Sequence, residues 1–171
     1  GVIAGLPLAG RVFELLESGA ILRPEVAEGT HCQPGTTIAT LEASRAALLT
    51  GERVALNLAM HLSGIATATR QYVDCLANTK ARLVDTRKTT PGLRLLEKYA
   101  TRVGGAVNHR LGLDDAVMIK DNHIAAAGGI TAAVGHIRQH IPYPMAIEVE
   151  TTCLEQVLEA LACEVDIIML D

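Results

Sequence analysis

Short apolar segments alternate with longer amphipathic segments throughout the second half of the chain. The apolar segments are ARLVD, AVMIK, PMAIEVE and VDIIML, and the helical ones are GLRLLEKYATRV, a segment that Thr131 caps and that runs to about His140, and LEQVLEALA. Strands that alternate with helices of about ten residues predict a parallel sheet, because parallel strands need crossover connections. This pattern restricts the second half to an α/β barrel or a doubly wound sheet.

The first half has a different organisation. It begins with GVIAGLPLAGRVFELLESG, which predicts a Gly-rich apolar strand followed by a helix, and EGTHCQPGTTIATLEA predicts short strands with a turn at Pro34-Gly35. We expect Thr50 to cap a long helix, GERVALNLAMHL, that ends at Ser63-Gly64, before a second helix, ATATRQYVDCLA. We therefore predict a domain boundary near residue 65, with domains at 1–65 and 66–171.

Charged residues follow each predicted strand of the second half. LVD is followed by Arg87 and Lys88, VMI by Lys120, AIEV by Glu150, and IIML by Asp171. The amino ends of the same strands show no such pattern. Because the functional sites of parallel α/β folds gather at the carboxyl ends of the strands, these five residues are candidate site residues.

The charge distribution indicates what such a site would bind. The chain has a net charge of −4, but residues 80–120 hold nine Lys or Arg and four Asp or Glu, which gives +5. Lys98 and Arg102, four residues apart on a predicted helix, are interpreted as a solvated face. The other cations suit carboxylates or phosphates, which Arg binds with two parallel hydrogen bonds and Lys as a point charge.

The sequence leaves several roles open for Glu150 and Asp171, the two acidic residues at strand ends. Glu150 and Asp171 could hold Mg²⁺, bind sugar hydroxyls or stabilise a developing positive charge. Together with the cations they suggest an anionic substrate and a magnesium-bound phosphorylated sugar. Glu148 is a rival of Glu150 because it lies two residues earlier on the same strand face. We prefer Glu150 because it lies at the carboxyl end.

Composition argues against several classes of protein. The isoelectric point near 5.9 and an aromatic content of 2% argue against a nucleic-acid binder. No apolar run approaches the roughly 18 residues that a membrane span needs. The four cysteines form no CxxC motif, so we interpret them as reduced core residues of a cytoplasmic protein. His136 and His140 lack the Glu of HExxH and are not predicted to bind zinc.

Four stretches of the chain carry a resemblance to a known family. They are GERVALNLAMHLSGIATAT, DTRKTTPGLRLLEKYA, GGAVNHRLGLDDAVMIKDNHI and IEVETT. In this order, and over essentially all 171 residues, the chain resembles the quinolinate phosphoribosyltransferase family. TRKTTPG and NHRxGLxDxxxIKDNH are long, specific motifs.

The resemblance implies an activity and a fold. The implied reaction joins quinolinate to the ribose of phosphoribosyl pyrophosphate and releases pyrophosphate and CO2, giving nicotinate mononucleotide for NAD biosynthesis. The implied fold is α/β, with a partial N-terminal α/β sandwich domain followed by a partial, incomplete α/β barrel. The implied assembly is a homodimer, or a higher oligomer, in which Arg53 of one subunit completes the site of its neighbour.

The resemblance also implies roles for the residues that match the motifs. The residues that would hold the carboxylates of quinolinate are Arg87, His109, Arg110 and Lys120. Lys88 would face phosphoribosyl pyrophosphate. Glu150 and Asp171 would bind the ribose hydroxyls and Mg²⁺, and with Lys120 they form the implied catalytic set. His123 is left open between a structural role and a place in the pocket, and Thr89 and Thr90 are interpreted mainly as residues that order their loop.

The chain also departs from the family. Family members carry further residues before GVIAGLP and later barrel strands with Gly-rich loops, so we expect the chain to be an internal fragment. An inactive structural piece is therefore one alternative. A transport-associated homologue linked to molybdenum uptake is another, although the full quinolinate-binding set favours the enzyme. Nicotinate phosphoribosyltransferase needs to bind only one carboxylate, and the dense cation set argues against it.

Overall fold

Six helices and five strands form the chain, and the computed structural model describes all residues from 1 to 171. They belong to two compact units, Gly1–Leu111 and Gly112–Asp171. The elements of the first unit are α1 (Leu6–Leu16), β1 (Ile21–Pro24), β2 (Ala39–Glu42), α2 (Arg45–Cys75) and α3 (Arg94–Gly104). Those of the second are β3 (Val117–Ile119), α4 (Asp121–Ala127), α5 (Ile130–Arg138), β4 (Ile147–Thr151), α6 (Leu154–Ala162) and β5 (Ile167–Leu170). The predicted α/β class is confirmed.

Helix α2 is the longest element, and it has no break at Ser63-Gly64. It begins after Ser44, whose side chain accepts a hydrogen bond from the Ala47 N–H, so the cap predicted at Thr50 is wrong. Ser63 does not end the helix, because its hydroxyl accepts from the Ala4 N–H and donates to the Ala4 carbonyl, at 3.0 and 3.1 Å. The compact units divide after Leu111, and the domain boundary near residue 65 stays a prediction.

Helices α2 and α3 approach each other closely at Gly104. A Cβ atom on Gly104 would lie 2.6 Å from the Cβ of Thr69, so only glycine fits there. Arg70 closes the same contact by donating from Nε to the Gly104 carbonyl at 2.8 Å. The core of this region is built from small and branched apolar residues, namely Val2, Ala4, Leu62, Ala66 and Ala100.

The second unit contains a parallel three-stranded sheet. Its strand order, β3-β4-β5, follows the chain, and helices connect consecutive strands. Ile119 and Val149 are register partners and are fully buried against α5 and α6 on one face of the sheet. Sequential parallel strands are the arrangement found in α/β barrels. Glu148 and Glu150 point to the opposite face, because side chains alternate along a strand.

Three local predictions are wrong. ARLVD is not a strand, since only Val84 forms an isolated parallel bridge, with Val107. Thr131 does not cap α5, whose N-cap is Gly129, and instead both its N–H and its hydroxyl donate to Glu159 of α6. The four cysteines are not all core residues, because Cys75 and Cys153 are exposed. None of the six helices combines the length and the apolar character that a membrane-spanning segment needs.

Candidate functional site

Lys120 and Glu150 form an ion pair at the carboxyl edge of the sheet. Ile119 is the register partner of Val149, so the next residues, Lys120 and Glu150, lie beside each other. The ammonium Nζ of Lys120 donates to Glu150 Oε2 at 2.6 Å. The charged ends of two predicted strands therefore come together, as the sequence predicts for parallel strands.

Asp171 lies at the carboxyl edge of the sheet, whereas Glu148 lies within the sheet. Asp171 follows β5, its N–H donates to the Thr151 carbonyl at 3.0 Å, and it is exposed. Glu148 is only 2% exposed and lies between Met118 and Ile167 in the neighbouring strands. The position of Glu150 at the edge supports the choice of Glu150 over Glu148, and the role of each stays a prediction.

His123 fixes the turn between β3 and α4. Its Nδ1 accepts a hydrogen bond from the Lys120 N–H at 3.0 Å. An acceptor three residues into a helix that binds the N-cap N–H satisfies a donor that would otherwise lack a partner. This contact supports the structural reading of His123 and orients the backbone of Lys120.

Arg87 and Lys88 lie in the first unit, in the loop between residues 86 and 92. Arg87 is half-buried, and its Nε is buried without a hydrogen-bond partner, whereas Lys88 is exposed. A buried donor that lacks a partner costs about 1–3 kcal/mol. Such a guanidinium is suited to an anion that supplies the acceptor.

The carboxylate of Asp85 binds the loop to the segment that carries His109 and Arg110. It accepts from the Asn108 amide and the His109 N–H, both at 2.7 Å, and from Lys98 Nζ and Thr101 Oγ1. Burial alone would raise the pKa of Asp85, but the hydrogen bonds from Lys98, His109 and Asn108 outweigh it and hold the pKa below its usual value. Asp85 is therefore an ionised carboxylate inside the fold.

The interpretation of Lys98 as part of a solvated face is wrong. Lys98 is only 4% exposed and forms an ion pair with Asp85, whereas Arg102 is exposed as expected. Both Lys98 and Asp85 were missed as candidate residues. The available signal was Asp85 itself, which directly follows an apolar segment, since a buried carboxylate requires a cationic partner.

Two residues of α3 hold the loop between residues 86 and 92. Arg94 donates from Nε to Thr89 Oγ1 and from Nη1 to the Leu111 carbonyl, both at 3.2 Å. Glu97 accepts from the Thr90 N–H at 3.1 Å, and its other oxygen lies 3.0 Å from His61 Nε2. These contacts support the interpretation of Thr89 and Thr90 as residues that order the loop.

Arg53 lies on an exposed face of α2 among apolar side chains. Leu49, Leu56 and Met60 are all exposed, and their spacing from Arg53 places the four residues on one helical face. The opposite face holds the buried residues Ala47, Gly51, Ala55 and Leu62. A helix with apolar residues on both faces is typical of a buried element, although this face of α2 is open in the single chain.

His109 and Arg110 are half-buried in the first unit, which also holds Arg87 and Lys88. Lys120, Glu150 and Asp171 lie in the second unit. The structure thus groups the predicted quinolinate residues, apart from Lys120, in one unit and the predicted catalytic residues in the other.

The acidic residues fit a magnesium ion that takes most of its ligands from elsewhere. No group of three or more His, Cys, Asp or Glu side chains is placed to hold a metal ion. Glu150 and Asp171 offer two carboxylates at the edge of adjacent strands β4 and β5. Mg²⁺ commonly binds one or two carboxylates and completes its shell with water and substrate phosphates, which matches this donor set.

Comparisons with protein families match the chain from end to end. The model described as quinolinate phosphoribosyl transferase, N-terminal domain, matches residues 1–63. The model described as quinolinate phosphoribosyl transferase, C-terminal domain, matches residues 65–171.

Similar proteins carry related names. A probable nicotinate-nucleotide pyrophosphorylase [carboxylating] from Synechocystis sp. is 63% identical over 171 residues, which are 100% of this chain and 58% of that protein. A quinolinate phosphoribosyltransferase [decarboxylating] 1 from Nicotiana glauca is 39% identical over 164 residues, which are 94% of this chain and 46% of that protein. The chain thus spans roughly half of the length of these two relatives.

Solved structures of similar proteins also support the fold. NadC from Streptococcus pyogenes superposes with a TM-score of 0.95 and 47% identity, over 100% of this chain and 61% of that one. The nicotinate-nucleotide pyrophosphorylase from Francisella tularensis gives a TM-score of 0.95 at 39% identity, over 99% and 60% of the two chains. The predicted fold class, a partial N-terminal domain followed by a partial barrel domain, is confirmed by these matches.

Proposed function

The chain belongs to the quinolinate phosphoribosyltransferase family, and from this premise we propose that it forms part of an enzyme of NAD biosynthesis. The proposed reaction transfers the phosphoribosyl group of phosphoribosyl pyrophosphate to the ring nitrogen of quinolinate. Pyrophosphate leaves the ribose C1, the 2-carboxylate of the ring leaves as CO2, and nicotinate mononucleotide is formed. The bracketed terms in the names of the relatives, carboxylating and decarboxylating, support the loss of a carboxylate.

The observation that carries this proposal is the buried Nε of Arg87, which has no hydrogen-bond partner. A dicarboxylate such as quinolinate supplies acceptors for this guanidinium and for neighbouring cations. We assign the binding of its carboxylates to Arg87, His109, Arg110 and Lys120. Arg is suited to this task because its planar fork binds a carboxylate with two parallel hydrogen bonds.

The acidic residues act on the ribose in the proposed mechanism. As the bond from C1 to pyrophosphate breaks, positive charge develops on the sugar, and Glu150 and Asp171 stabilise it while they bind the ribose hydroxyls. Lys88 binds phosphoribosyl pyrophosphate, and Lys120 lies near both substrates. Alignment of the two substrates supplies much of the rate enhancement. The positive charge of the ribosylated ring nitrogen then stabilises the electron pair that the departing CO2 leaves on C2, and a proton from solvent takes the place of the carboxylate there.

Magnesium is part of the proposal for the same residues. Glu150 and Asp171 would hold Mg²⁺, directly or through water or substrate oxygens, and the ion would supply charge neutralisation on the pyrophosphate. The edge position of both residues on adjacent strands supports this assignment. The ammonium of Lys120, 2.6 Å from Glu150, is the cation that balances this carboxylate in the structure.

A homodimer completes the proposed site. The exposed apolar face of α2, formed by Leu49, Leu56 and Met60, surrounds Arg53 and supports burial of this face against a second copy of the chain. Arg53 would then reach the quinolinate site of the partner.

We place the reaction in the cytoplasm, which the four free cysteines support.

The release of CO2 from quinolinate tests the function. We expect release to require both phosphoribosyl pyrophosphate and Mg²⁺ when the longest natural form of the protein is assayed. Nicotinate serves as the control substrate, because it offers the same ring with a single carboxylate. Absence of release from a folded, dimeric protein would refute the enzyme and favour the transport-associated homologue.

A further inference from the structure

The backbone of His109 is held on both sides by one buried ion pair. Its N–H donates to Asp85 Oδ1 at 2.7 Å, and its carbonyl accepts from Lys98 Nζ at 3.1 Å. The anion and the cation of the pair thus bind the donor and the acceptor of the same residue. A displacement of the His109 backbone would therefore break at least one hydrogen bond to a charged side chain.

The same pair joins two segments that are distant in the sequence. Asp85 lies two residues before Arg87, and Lys98 lies on α3. Asn108 adds to the connection, because its Nδ2 donates to Asp85 Oδ2 at 2.7 Å and to the Lys98 carbonyl at 2.9 Å. The segment with Arg87 and the segment with His109 are therefore fixed relative to each other.

Stability alone is a weak explanation for this pair. Removing two charges from water costs free energy, and buried ion pairs can often be replaced by apolar residues without loss of stability. Both side chains are almost fully buried, with exposures of 5% for Lys98 and 8% for Asp85. Apolar residues could not, however, form the two hydrogen bonds that these charged side chains make with the backbone of His109.

We propose that Asp85 and Lys98 are positioning residues for quinolinate, because they set the relative placement of Arg87 and His109. This inference rests on the proposed function, since it assigns those two residues to one ligand. Neither member of the pair needs to touch the substrate. Their effect passes through the backbone of His109 and through the two-residue connection from Asp85 to Arg87.

The test compares three variants in the full-length protein. Lys98→Met removes the donor to the His109 carbonyl, but it also leaves the Asp85 charge unpaired. The double variant Asp85→Asn with Lys98→Met removes both charges and keeps an amide oxygen that can accept from the His109 N–H. Arg102→Met is the matched control, because Arg102 is an exposed cation one turn from Lys98 on the same helix. Quinolinate affinity is measured by titration calorimetry and folding by thermal unfolding.

In the double variant we expect thermal stability to recover relative to Lys98→Met, while quinolinate affinity stays reduced. Its thermal stability should exceed that of Lys98→Met, because no buried charge is left unpaired. Its dissociation constant for quinolinate should still be raised at least about tenfold, because small misplacements of binding groups are costly. Arg102→Met should bind as the wild type does.

Two other outcomes have different meanings. A double variant that binds quinolinate as tightly as the wild type would overturn the positioning role, whatever its stability. If the wild type itself bound no quinolinate, the proposed function would fail instead. The two failures are therefore distinguishable in one set of titrations.

Discussion

The ammonium of Lys120 lies 2.6 Å from the carboxylate of Glu150, across two adjacent parallel strands. The side chain of Lys120 is 45% exposed and that of Glu150 is 16% exposed, so solvent partly screens this pair and Lys120 can exchange partners. In the proposed mechanism the lysine turns to a substrate carboxylate and the glutamate to the ribose.

Replacement of Glu150 by Gln should lower turnover more than quinolinate affinity. The carboxylate is assigned to charge that develops only in the transition state, and the loss of such a group costs roughly 10²-fold or more in kcat. Steady-state kinetics and quinolinate titration on the same preparation check this. Glu155→Gln, an exposed site in the first turn of α6, is the control. Equal losses in turnover and affinity would contradict the transition-state role.

Replacement of Arg87 by Met should weaken quinolinate binding by about 1.5–3 kcal/mol, the range for a hydrogen bond to a charged group. Methionine keeps much of the apolar stem and removes the guanidinium, whose Nε is buried without a partner. The comparison is Arg82→Met, an exposed cation five residues earlier. Calorimetric titration gives the difference, and an unchanged affinity in Arg87→Met would remove this residue from the site.

Arg53 and Glu150 should complement each other between subunits. If Arg53 acts on the site of the partner, Arg53→Ala and Glu150→Gln homodimers are both impaired, but a mixed dimer contains one site with neither substitution. Random mixing of the two variants should then restore about a quarter of the wild-type activity, as expected for an isologous dimer. The activity of refolded mixtures measures this, and mixtures no more active than their components would place Arg53 outside the shared site.

Acid should destabilise the protein partly through Asp85. Its pKa is lowered in the folded state, so its contribution is complete above the usual pKa of aspartate, about 3.9, and is lost as the pH falls through the lower folded value. The free energy of unfolding in urea should fall between about pH 5 and 3. The fall should be shallower in the Asp85→Asn, Lys98→Met double variant, and an identical pH dependence would contradict the lowered pKa.

The sequence predicted those elements whose signals are local and repeated. The helices around Leu96 and Ala160 and the strands around Ile119, Val149 and Ile168 follow from a spacing of apolar residues that places these five in or against the cores of the two units. Charge at the strand ends correctly predicted that Lys120 and Glu150 meet. Parallel register alone brings these two residues together.

The errors arise where a side chain has a distant partner. Ser63 looks like the end of a helix, but its hydroxyl binds the backbone of Ala4, 59 residues away. Lys98 looks solvated, whereas Asp85 and the His109 carbonyl draw it into the interior. Such pairings depend on tertiary contacts, which no local pattern in one sequence records.

The continuity of α2 restricts where the polypeptide can be divided or joined to a relative. The two family matches meet at residue 64, which lies inside this 31-residue helix. Leu62 and Ala66 lie on either side of that point and are both fully buried in one cluster with Ala4. Separate expression of the two matched segments would cut the helix and expose this cluster in both products. Chimeras between relatives should therefore exchange α2 as a whole rather than join at the family boundary.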